Sequence, residues 1–443
     1  MTQWIAAVAR GHNSGVALLK DGKLVFAMEE ERLTRAKYDG GPLASIVKIK
    51  DYTDRLDYFV TVHTTRMEAS KDMKLDYCFN DPYYGLARKL GLLPDVNELT
   101  EDQVTERQCG AQVPKNYIDM GHIHHRTHAA TAFYNSGFDT AVAVIVDGAG
   151  SWCKFGKSEK EVEDYWETET IFDCAYPHKF DTKYKHLGSK YASSLNYFNN
   201  FDTGFWNGYG KEINYESPQN DHHELIASHK CGIVKTYEAV TEYCGFPAIE
   251  AGKTMGLFPY GKPNPEVPKI FKKFGTVDRK VMIPTYPNAG HVNVHEYPFL
   301  DDHPDPDDPK SDLTKYQNRR DLAYAVQTET QAAVLKLIRK AVEMTGKKNI
   351  VLSGGYGLNC VANYWYLEQL KDEGINLFVE PVSNDAGTAI GAALYIYYKT
   401  LQPFQVEDAL KPQINTLYLG PEYNYSLDDI VDVSDKYNGI VNY

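Results

Sequence analysis

The sequence has few cysteines, no long apolar run and no excess of positive charge, and each absence excludes a class of protein. The seven cysteines are an odd number, are scattered along 443 residues and never stand in CxxC spacing. This distribution argues against a disulfide framework or a zinc ribbon and favours free thiols in a reducing compartment. We therefore predict a cytoplasmic protein.

No segment reaches the roughly eighteen consecutive apolar residues of a membrane span, so no membrane contact is expected. Residues 1–19 lack the basic start, apolar core and small-residue cleavage site of a signal peptide. The chain carries 47 Lys plus Arg against 60 Asp plus Glu, a net charge of −13. This balance argues against unspecific nucleic-acid binding but leaves a local basic groove open.

The N-terminal sequence alternates apolar strands with glycine-containing turns. Three strands are predicted, at residues 4–8, 16–19 and 24–28, separated by the loop Gly11–Gly15 and the turn Asp21-Gly22. This order is similar to the start of the first lobe in the actin, hexokinase and Hsp70 fold. A β-branched strand at residues 140–146, followed by Asp147-Gly148, repeats the pattern. The repetition predicts a duplicated α/β fold with a nucleotide between two lobes.

Apolar periodicity predicts helices at residues 126–136, 321–345, 362–370 and 387–397, and short strands at 349–352 and 377–379. Residues 152–229 are polar and aromatic, and surface loops are expected there. The proline-spaced segment 304–309 predicts an acidic loop. We expect a first α/β lobe over residues 1–135, a second with insertions over 136–400, and a polar tail or linker over 401–443.

Four histidines stand within residues 122–128. On a helix His124 and His128 project from one face, where they can share a metal ion; a structural pair on a polar face is the alternative. Asp147, at the end of a strand, and Asp385, at the start of the last helix, can each add an oxygen ligand. Capping of that helix is the alternative role for Asp385. Mixed His and carboxylate ligands suit Fe(II), Mn(II) or Zn(II) better than Mg(II).

Three glycine-containing segments are candidates for ligand contact. Ser353–Gly357 joins a strand to a helix, which lets the backbone approach a ligand, although an ordinary strand-helix turn has the same pattern. The loop Gly11–Gly15 holds His12, which can bind phosphate or act as an acid or base. The GKT string in Glu250–Leu257 lacks the glycine spacing and preceding strand of a P-loop, so that interpretation is rejected, and Lys253 remains a candidate anion ligand.

Six motifs occur in one order along the chain. They are Gly11-His12-Asn13-Ser14 with Glu29-Glu30-Glu31-Arg32, His124-His125-x-x-His128-Ala129-Ala130, Asp147-Gly148, Lys253-Thr254-Met255-Gly256-Leu257-x-Pro259-Tyr260-Gly261, Ser353-Gly354-Gly355-x-x-x-Asn359 and Asn384-Asp385-x-Gly387. Together they resemble the N-terminal domain of the O-carbamoyltransferases, which include nodulation enzymes and enzymes that modify aminoglycosides or cephalosporins. The resemblance covers residues 4 to 420, most of the chain.

The resemblance implies an actin-like ATPase fold related to the tRNA threonylcarbamoyl transferase, with two duplicated α/β lobes around a nucleotide and metal cleft. It implies an Fe(II)-type metal held by His124, His128 and Asp385, with Asp147 near the ion. ATP or carbamoyl-adenylate is expected on Gly354, Gly355 and the following helix, and His12 near the acceptor hydroxyl. The further candidates for cofactor binding are Asn359, Asn384 and Lys253.

The full-length members of the family carry a further C-terminal domain that forms carbamoyl-adenylate from carbamoyl phosphate and ATP. Its Arg-rich segment does not occur in this sequence, which ends at Tyr443. We expect the activating half to be absent, supplied in trans by a separate domain, or replaced by another donor route.

The resulting hypothesis is carbamoyl transfer to an acceptor hydroxyl, with His12 or Asp147 assisting proton removal. The acceptor is a sugar, a natural product, or a hydroxymethylated pyrimidine in a nucleotide or in DNA. The basic-aromatic stretch, residues 176–191, mixes cationic side chains with rings that suit phosphate contact and base stacking, but a solvated loop is favoured. Its cationic residues are Lys179, Lys183, Lys185, His186 and Lys190, and its rings include Phe180 and Tyr184.

Two other functions remain open. The first is a catalytically incomplete nucleotide- and metal-binding subunit that docks an activating partner through the tail after Gln402. The second is a sugar or acetate kinase of the same fold, which would transfer the γ-phosphate and would not need the histidine cluster.

Overall fold

The architecture comes from a computed structural model of the chain. The structure describes residues 2–65, 81–95, 98–106, 112–156, 162–189, 224–228, 232–267, 269–273, 276–277, 282–285, 288–292, 316–401, 418–419 and 425–437. The predicted acidic loop at 304–309 lies outside the described residues.

The N-terminal part forms one five-stranded sheet and a small two-stranded one. Its strands are β1 (Trp4–Ala9), β2 (Gly15–Lys20), β3 (Lys23–Glu29), β4 (Tyr58–Val62), β5 (Val104–Glu106), β6 (Gln112–Pro114) and β7 (Tyr117–Asp119). The first sheet has the order β3-β2-β1-β4-β7, and β5 pairs with β6. Asp21 and Gly22 both have positive φ, 51° and 79°, which matches the right-handed twist of a two-residue hairpin between β2 and β3.

A second sheet is built from the middle and C-terminal parts. The remaining strands are β8 (Thr140–Val146), β9 (Trp152–Gly156), β10 (Val162–Ala175), β11 (Lys179–Ser189), β12 (Glu224–Ser228), β13 (Phe271–Lys273), β14 (Thr276–Val277), β15 (Met282–Thr285), β16 (Asn288–Val292), β17 (Asn349–Ser353) and β18 (Asn376–Val379). This sheet has the order β12-β11-β10-β8-β17-β18, and β9 pairs with β10. The pairs β13-β14 and β15-β16 stand apart from it.

The two sheets repeat one topology. In the first, β1, β2 and β3 form an antiparallel meander, β4 pairs in parallel with β1, and β7 pairs in parallel with β4. In the second, β8, β10 and β11 form the meander, β17 pairs in parallel with β8, and β18 pairs in parallel with β17. The chain thus has the duplicated α/β architecture of the actin-like ATPase fold, as predicted.

Ten helices are present in the described part of the chain. They are α1 (Glu30–Thr34), α2 (Leu43–Lys48), α3 (Pro82–Lys89), α4 (His124–Ser136), α5 (Ile233–Tyr243), α6 (Ala251–Leu257), α7 (Gln317–Thr345), α8 (Cys360–Leu370), α9 (Asp385–Thr400) and α10 (Leu427–Lys436). The four helices predicted from periodicity are all found, each beginning two to four residues earlier than the apolar pattern alone suggested.

Helices α4 and α9 lie between the two sheets. They pack on each other, while α9 contacts β1 and β2, and α4 contacts β8 and β17. The helices approach so closely that a Cβ added at Gly391 would lie 2.1 Å from the Thr127 carbonyl oxygen. The opposite face of the second sheet is covered by α5, α7 and α8. Helix α9 belongs to the second predicted lobe by sequence but packs on the sheet of the first. The domain boundaries assigned from the sequence stay predictions.

The sequence predicts surface loops at residues 152–229. This prediction is wrong for the part of the segment that the structure describes. The segment contains β9, the long hairpin of β10 and β11, and β12. The pattern looked polar because ionisable side chains are buried in pairs: Glu169 and His186 are fully buried, with 2.5 Å between a carboxylate oxygen and Nδ1. A paired charge can be buried, whereas an isolated one costs too much.

The basic-aromatic stretch contains the whole of β11 and is not a solvated loop there. Phe180, Tyr184 and His186 are buried in the described residues, and the Lys185 ammonium forms an ion pair with Glu167. Buried rings cannot stack on bases, so this stretch gives no support to nucleic-acid binding. Residues 190–191 of the stretch lie outside the described part.

No helix in the described ranges combines the length and the apolar character that crossing a bilayer requires.

Candidate functional site

A cleft of about 630 Å³ opens at the carboxyl ends of the parallel strands of both sheets. Its first wall comes from the residues after β1 and β4, and its second wall comes from the residues after β8 and β17 together with α5 and α6. Ligands of open α/β sheets bind at such strand ends, because loops and helix starts converge there. The duplicated topology therefore places two sets of loops face to face.

Four predicted residues converge at this cleft: His124, Asp147 and Asp385 line it, and His128 is buried beside them. His124, His128, Asp147 and Asp385 each offer one ligand atom, and the four atoms lie within 4.8 Å of one another. The Asp385 Oδ1 oxygen lies 3.5 Å from His124 Nε2 and 3.4 Å from His128 Nε2. His124 Nε2 also lies 3.6 Å from Asp147 Oδ2. We name these four residues the His-Asp cluster.

The fold places the members of the His-Asp cluster on two helices and directly after one strand, with Asp385 at the start of α9. His124 begins α4, and its backbone N–H donates to Ser151 Oγ at 3.1 Å; His128 follows one turn later. Asp147 follows β8, and its Oδ1 accepts the Gly355 N–H at 3.0 Å. This bond fixes one carboxylate oxygen and leaves the other beside His124.

The His-Asp cluster fits a divalent transition metal. The Nε2 atoms of His124 and His128 are buried and have no hydrogen-bond partner in the described structure. Such orphaned nitrogens are costly unless a ligand satisfies them. Metal–nitrogen bonds of 2.0–2.1 Å in tetrahedral geometry put neighbouring ligand atoms about 3.4 Å apart. Three of the separations, 3.4 to 3.6 Å, agree with that spacing, and all four ligand atoms lie within 4.8 Å of one another.

The carboxylates and imidazoles of the His-Asp cluster shift one another's pKa. Burial by itself lowers the pKa of His124, but Asp147 and Asp385 stabilise the imidazolium and raise that pKa to about 10. Burial by itself raises the pKa of both carboxyls, but the neighbouring imidazoles lower the pKa of Asp147 and Asp385 below the usual value. The separations exceed direct hydrogen-bond lengths, so the attraction is electrostatic. Both carboxylates therefore carry negative charge toward the cleft.

His125 lies beside the His-Asp cluster but does not belong to it. Its Nδ1 lies 2.7 Å from Thr170 Oγ1 on β10, and burial lowers the pKa of His125 to about 4. Its Nε2 is 4.0 Å from Asp147 Oδ2, and His125 does not line the cleft. Of the residues in the sequence cluster, His124 and His128 therefore face the candidate metal position.

His12 stands at the edge of the His-Asp cluster, on the first wall of the cleft. Its side chain is 53% exposed, and its Nδ1 lies 3.9 Å from Asp385 Oδ2. The preceding Gly11 has φ of 116°, a conformation that side chains rarely adopt, so the loop can turn there and present His12 to the cleft. The His12 imidazole is therefore open to the cleft and can contact a ligand bound there.

The predicted cofactor-binding residues divide into two groups. Gly355, Asn359 and Asn384 line the cleft. Asn359 Nδ2 donates to Gln327 Oε1 at 3.0 Å while its Oδ1 caps α8, and Asn384 Nδ2 donates to Glu29 Oε1 at 2.6 Å.

Gly354 and Lys253 do not line the cleft. A Cβ added at Gly354 would lie 2.4 Å from the Val146 carbonyl oxygen, so this glycine permits close packing on β8. Lys253 is on α6 with its side chain 52% exposed, and it pairs with Glu250 at 2.5 Å.

Sequence reasoning missed several polar residues of the cleft. Lys235 and Glu238 on α5 form an ion pair of 2.7 Å, and they lie beside the Asp147-Gly148 turn. Burial raises the pKa of Glu238, and Lys235 opposes that shift. A Lys and a Glu three residues apart look like an ordinary surface pair, so the spacing gave no signal. Arg10 and His63 also line the first wall.

Comparison with known proteins identifies the family. The sequence profile described as Carbamoyltransferase N-terminus matches residues 115–394, more than half of the chain, and this range contains the whole His-Asp cluster. The chain belongs to this family. The match confirms the resemblance that the six ordered motifs indicated, and the family is one of carbamoyltransferase enzymes.

The individual relatives have low sequence identity with this chain. The uncharacterized protein sll1178 of Synechocystis sp. is 27% identical over 96% of this chain and 61% of its own length. The nodulation protein NolNO of Sinorhizobium fredii is 24% identical over 93% of this chain and 49% of its own length. The chain thus spans about half to three fifths of the length of these curated relatives.

Among solved structures, full-length HypF in its phosphate- and nucleotide-bound form aligns with a TM-score of 0.46 and 12% identity. The alignment covers 90% of this chain and 56% of that one.

Proposed function

We propose that this chain transfers a carbamoyl group from carbamoyl-adenylate to the hydroxyl of an acceptor. The observation that carries the proposal is the His-Asp cluster and His12 in one cleft, in a chain of the carbamoyltransferase family. The acceptor is a sugar or natural product, or a hydroxymethylated pyrimidine.

The His-Asp cluster would hold the metal, with His124, His128 and Asp385 as ligands and Asp147 beside them. Fe(II), Mn(II) and Zn(II) suit this mixture of nitrogen and oxygen donors. A cation held there would polarise the carbamoyl carbonyl or fix the nucleotide phosphate. Asp147 also accepts the Gly355 N–H, so it couples the cluster to the glycine turn where the nucleotide is expected.

His12 is the better candidate for the general base. Asp147 is 7% exposed and engaged by Gly355, whereas the His12 side chain is 53% exposed and reaches solvent. In the proposed step the acceptor oxygen bonds to the carbamoyl carbon and its proton passes to His12. The bond between that carbon and the phosphate oxygen breaks, and AMP leaves.

The nucleotide would occupy the second wall. Gly355 and Asn359 lie there, and a backbone N–H beside a glycine turn suits a phosphate. Lys235 and Glu238 lie on the same side, near Gly148. Lys253 is the weakest of the candidates because its ammonium pairs with Glu250 outside the cleft.

The test is incubation of the purified chain with a divalent metal, ready-made carbamoyl-adenylate and a panel of hydroxyl acceptors, with ATP and carbamoyl phosphate as the donor source in a parallel reaction. Mass spectrometry should find a carbamoyl increment on one acceptor, with release of AMP. His12→Gln should slow transfer by about 10²- to 10⁴-fold while metal content is retained. Release of ADP with a phosphorylated acceptor would instead indicate a kinase. Transfer that persists in a metal-free His124→Ala/His128→Ala variant would contradict the mechanism.

A second candidate follows from the relatives, which extend beyond the part shared with this chain. In that case the chain binds nucleotide and metal and depends on an activating partner in trans. The same assay separates the two: transfer by the chain alone from ready-made carbamoyl-adenylate supports the enzyme, whereas no transfer until a separate activating protein is added favours the dependent subunit. For DNA as acceptor, a salt-dependent mobility shift of labelled hydroxymethylated DNA is the matching test.

A further inference from the structure

Arg10 is a cation of the cleft that the proposed chemistry leaves unused. It follows β1, lines the first wall together with His12, His63 and Thr64, and is 22% exposed at its side chain. Its Nη1 lies 3.3 Å from Asp81 Oδ2, and its Cζ lies 5.7 Å from the centre of the Tyr83 ring. The guanidinium therefore has a fixed support on one side and the cleft on the other.

Asp81 holds the Arg10 guanidinium in place but contacts it through one nitrogen, Nη1. Asp81 is 2% exposed, and its Oδ1 accepts the N–H groups of Tyr83 and Tyr84 at 2.8 and 3.0 Å. Its Oδ2 also accepts the Tyr117 hydroxyl at 3.3 Å. The carboxylate charge is thus shared among four donors, and its contact with Arg10 is through one nitrogen. A guanidinium carries five N–H donors and favours two-pronged contact with an oxyanion.

In the described part of the cleft, Lys235 is paired more tightly than Arg10, and the imidazoles are weaker anion ligands because, unlike a guanidinium, they are not charged at every pH. Lys235 pairs with Glu238 at 2.7 Å, and His63 lies 3.4 Å from Asp119. The carboxylates of the His-Asp cluster face imidazoles. On the first wall, Arg10 is therefore the group best suited to hold an anion. The nucleotide candidates Gly355 and Asn359 belong to the second wall.

The spacing between Arg10 and His12 limits the ligand. The two residues flank Gly11, so their Cα atoms are at most about 7 Å apart. A ligand whose anion contacts Arg10 can thus place a hydroxyl near His12 if both groups belong to one small molecule. A polymer would need a run of cations along the wall, and the chain has a net charge of −13.

We propose that Arg10 binds a phosphate group on a small hydroxyl acceptor and thereby presents the acceptor hydroxyl to His12. This inference rests on the carbamoyl-transfer function and names its acceptor class, a phosphorylated sugar or nucleotide. Arg10 then acts as a specificity-determining residue, since it selects the phosphorylated form of a compound over the unphosphorylated form.

Binding tests this inference without any donor. Two pairs of probes differ only by a phosphate: glucosamine with glucosamine 6-phosphate, and 5-hydroxymethyl-2′-deoxycytidine with its 5′-monophosphate. Calorimetric titration of the full chain should show tighter binding of the phosphorylated member in at least one pair. Arg10→Gln should weaken that binding by about 10- to 100-fold, the value of a charge-assisted hydrogen bond. Arg10→Lys should retain part of that binding, because lysine keeps the positive charge but lacks the two-pronged guanidinium.

Two controls make the result specific. Arg339→Gln removes another arginine paired with a carboxylate, Glu373 at 2.6 Å, on a surface outside the cleft lining. It should leave binding of both probe pairs unchanged. AMP is the internal control for the second wall, and its affinity should not follow the Arg10 substitution. An equal loss of AMP affinity in Arg10→Gln would assign Arg10 to the nucleotide and overturn the inference.

Turnover separates failure of this inference from failure of the proposed function. With carbamoyl-adenylate as donor, the ratio of kcat/KM for the phosphorylated and unphosphorylated probe should fall in Arg10→Gln. Carbamoyl transfer at a ratio that the substitution does not change overturns the role of Arg10 and keeps the transferase. Arg10-dependent binding with no transfer to any probe supports the anion site and counts against the transferase. Transfer to a hydroxymethylated oligonucleotide but not to the monophosphate overturns the small-acceptor class.

Discussion

His128 contributes one buried ring nitrogen to the His-Asp cluster, 3.4 Å from Asp385 Oδ1. It lies on α4, and an alanine at this position keeps a high helix propensity. We expect His128→Ala to lower bound metal from about one ion per chain to a small fraction, because removal of a ligand leaves too few donors for a closed site. Metal content is measured by plasma mass spectrometry after dialysis against excess Mn(II).

The matched control for His128 is His178→Ala, in the exposed turn between β10 and β11. This change should leave metal content as it is. Equal metal content in His128→Ala and the parent protein, with both folded by circular dichroism, would remove His128 from the ligand set.

Gly354 has φ of 92° and ψ of 167°, a region that only glycine occupies comfortably. Gly354→Ala should therefore destabilise the protein by about 3 kcal/mol or more, since it adds backbone strain to the clash with the Val146 carbonyl. Gly346→Ala is the control, because its φ is 69° but no atom lies within 4 Å of the added Cβ. It should cost about 1–2 kcal/mol. Similar urea unfolding midpoints for the two variants would contradict the close packing of Gly354 on β8.

At the scale of elements, strand β10 supports helix α5 through one buried carboxylate. Glu169 Oε1 accepts the Ile233 N–H at 2.7 Å, at the start of α5, where the cap residue Gly232 has no side chain. Its other oxygen contacts Thr168 Oγ1 and His186 Nδ1 at 2.6 and 2.5 Å. The helix that carries Lys235 and Glu238 into the cleft is thus anchored from the sheet.

Glu169→Ala should lower the free energy of unfolding by about 3–5 kcal/mol, because it leaves several buried donors without an acceptor. Glu373→Ala removes a carboxylate from a partly exposed pair with Arg339 and should cost at most about 1 kcal/mol. Chemical denaturation of both variants measures the difference. A loss for Glu169→Ala no larger than that for Glu373→Ala would mean that α5 does not depend on this anchor.

At the scale of the whole molecule, a ligand that binds the folded cleft stabilises the chain by mass action. At a Mn(II) concentration one hundred times the Kd the gain is about 2.7 kcal/mol, which for a chain of 443 residues raises the Tm by about 3 °C. Scanning calorimetry of metal-free and Mn(II)-saturated protein measures the shift. The His124→Ala/His128→Ala variant should lose it, and an undiminished shift in that variant would place the bound metal elsewhere.

The sequence was sufficient where the physics is local or strongly periodic. The hairpin at Asp21-Gly22, the strand at 140–146 and the long helix α7 follow from turn chemistry and apolar spacing, and they were found as predicted. The hairpin of β10 and β11 was missed because its buried faces contain charged residues. Pattern reasoning assigns such residues to the surface, and their partners are distant in sequence: Glu167 with Lys185, and Glu169 with His186.

For the candidate site, the sequence by itself determined which chemical groups were present and that His124 and His128 share a helix face. Only the tertiary structure decided that Asp147 and Asp385, 238 residues apart in the sequence, lie beside the same two imidazoles. It also decided that Arg10 and Lys235 face the same cleft and that Lys253 does not line it. The reason is physical: helix and strand periods fix neighbours a few residues apart, whereas the pairing of β8 with β17 and the packing of α4 on α9 fix all the others.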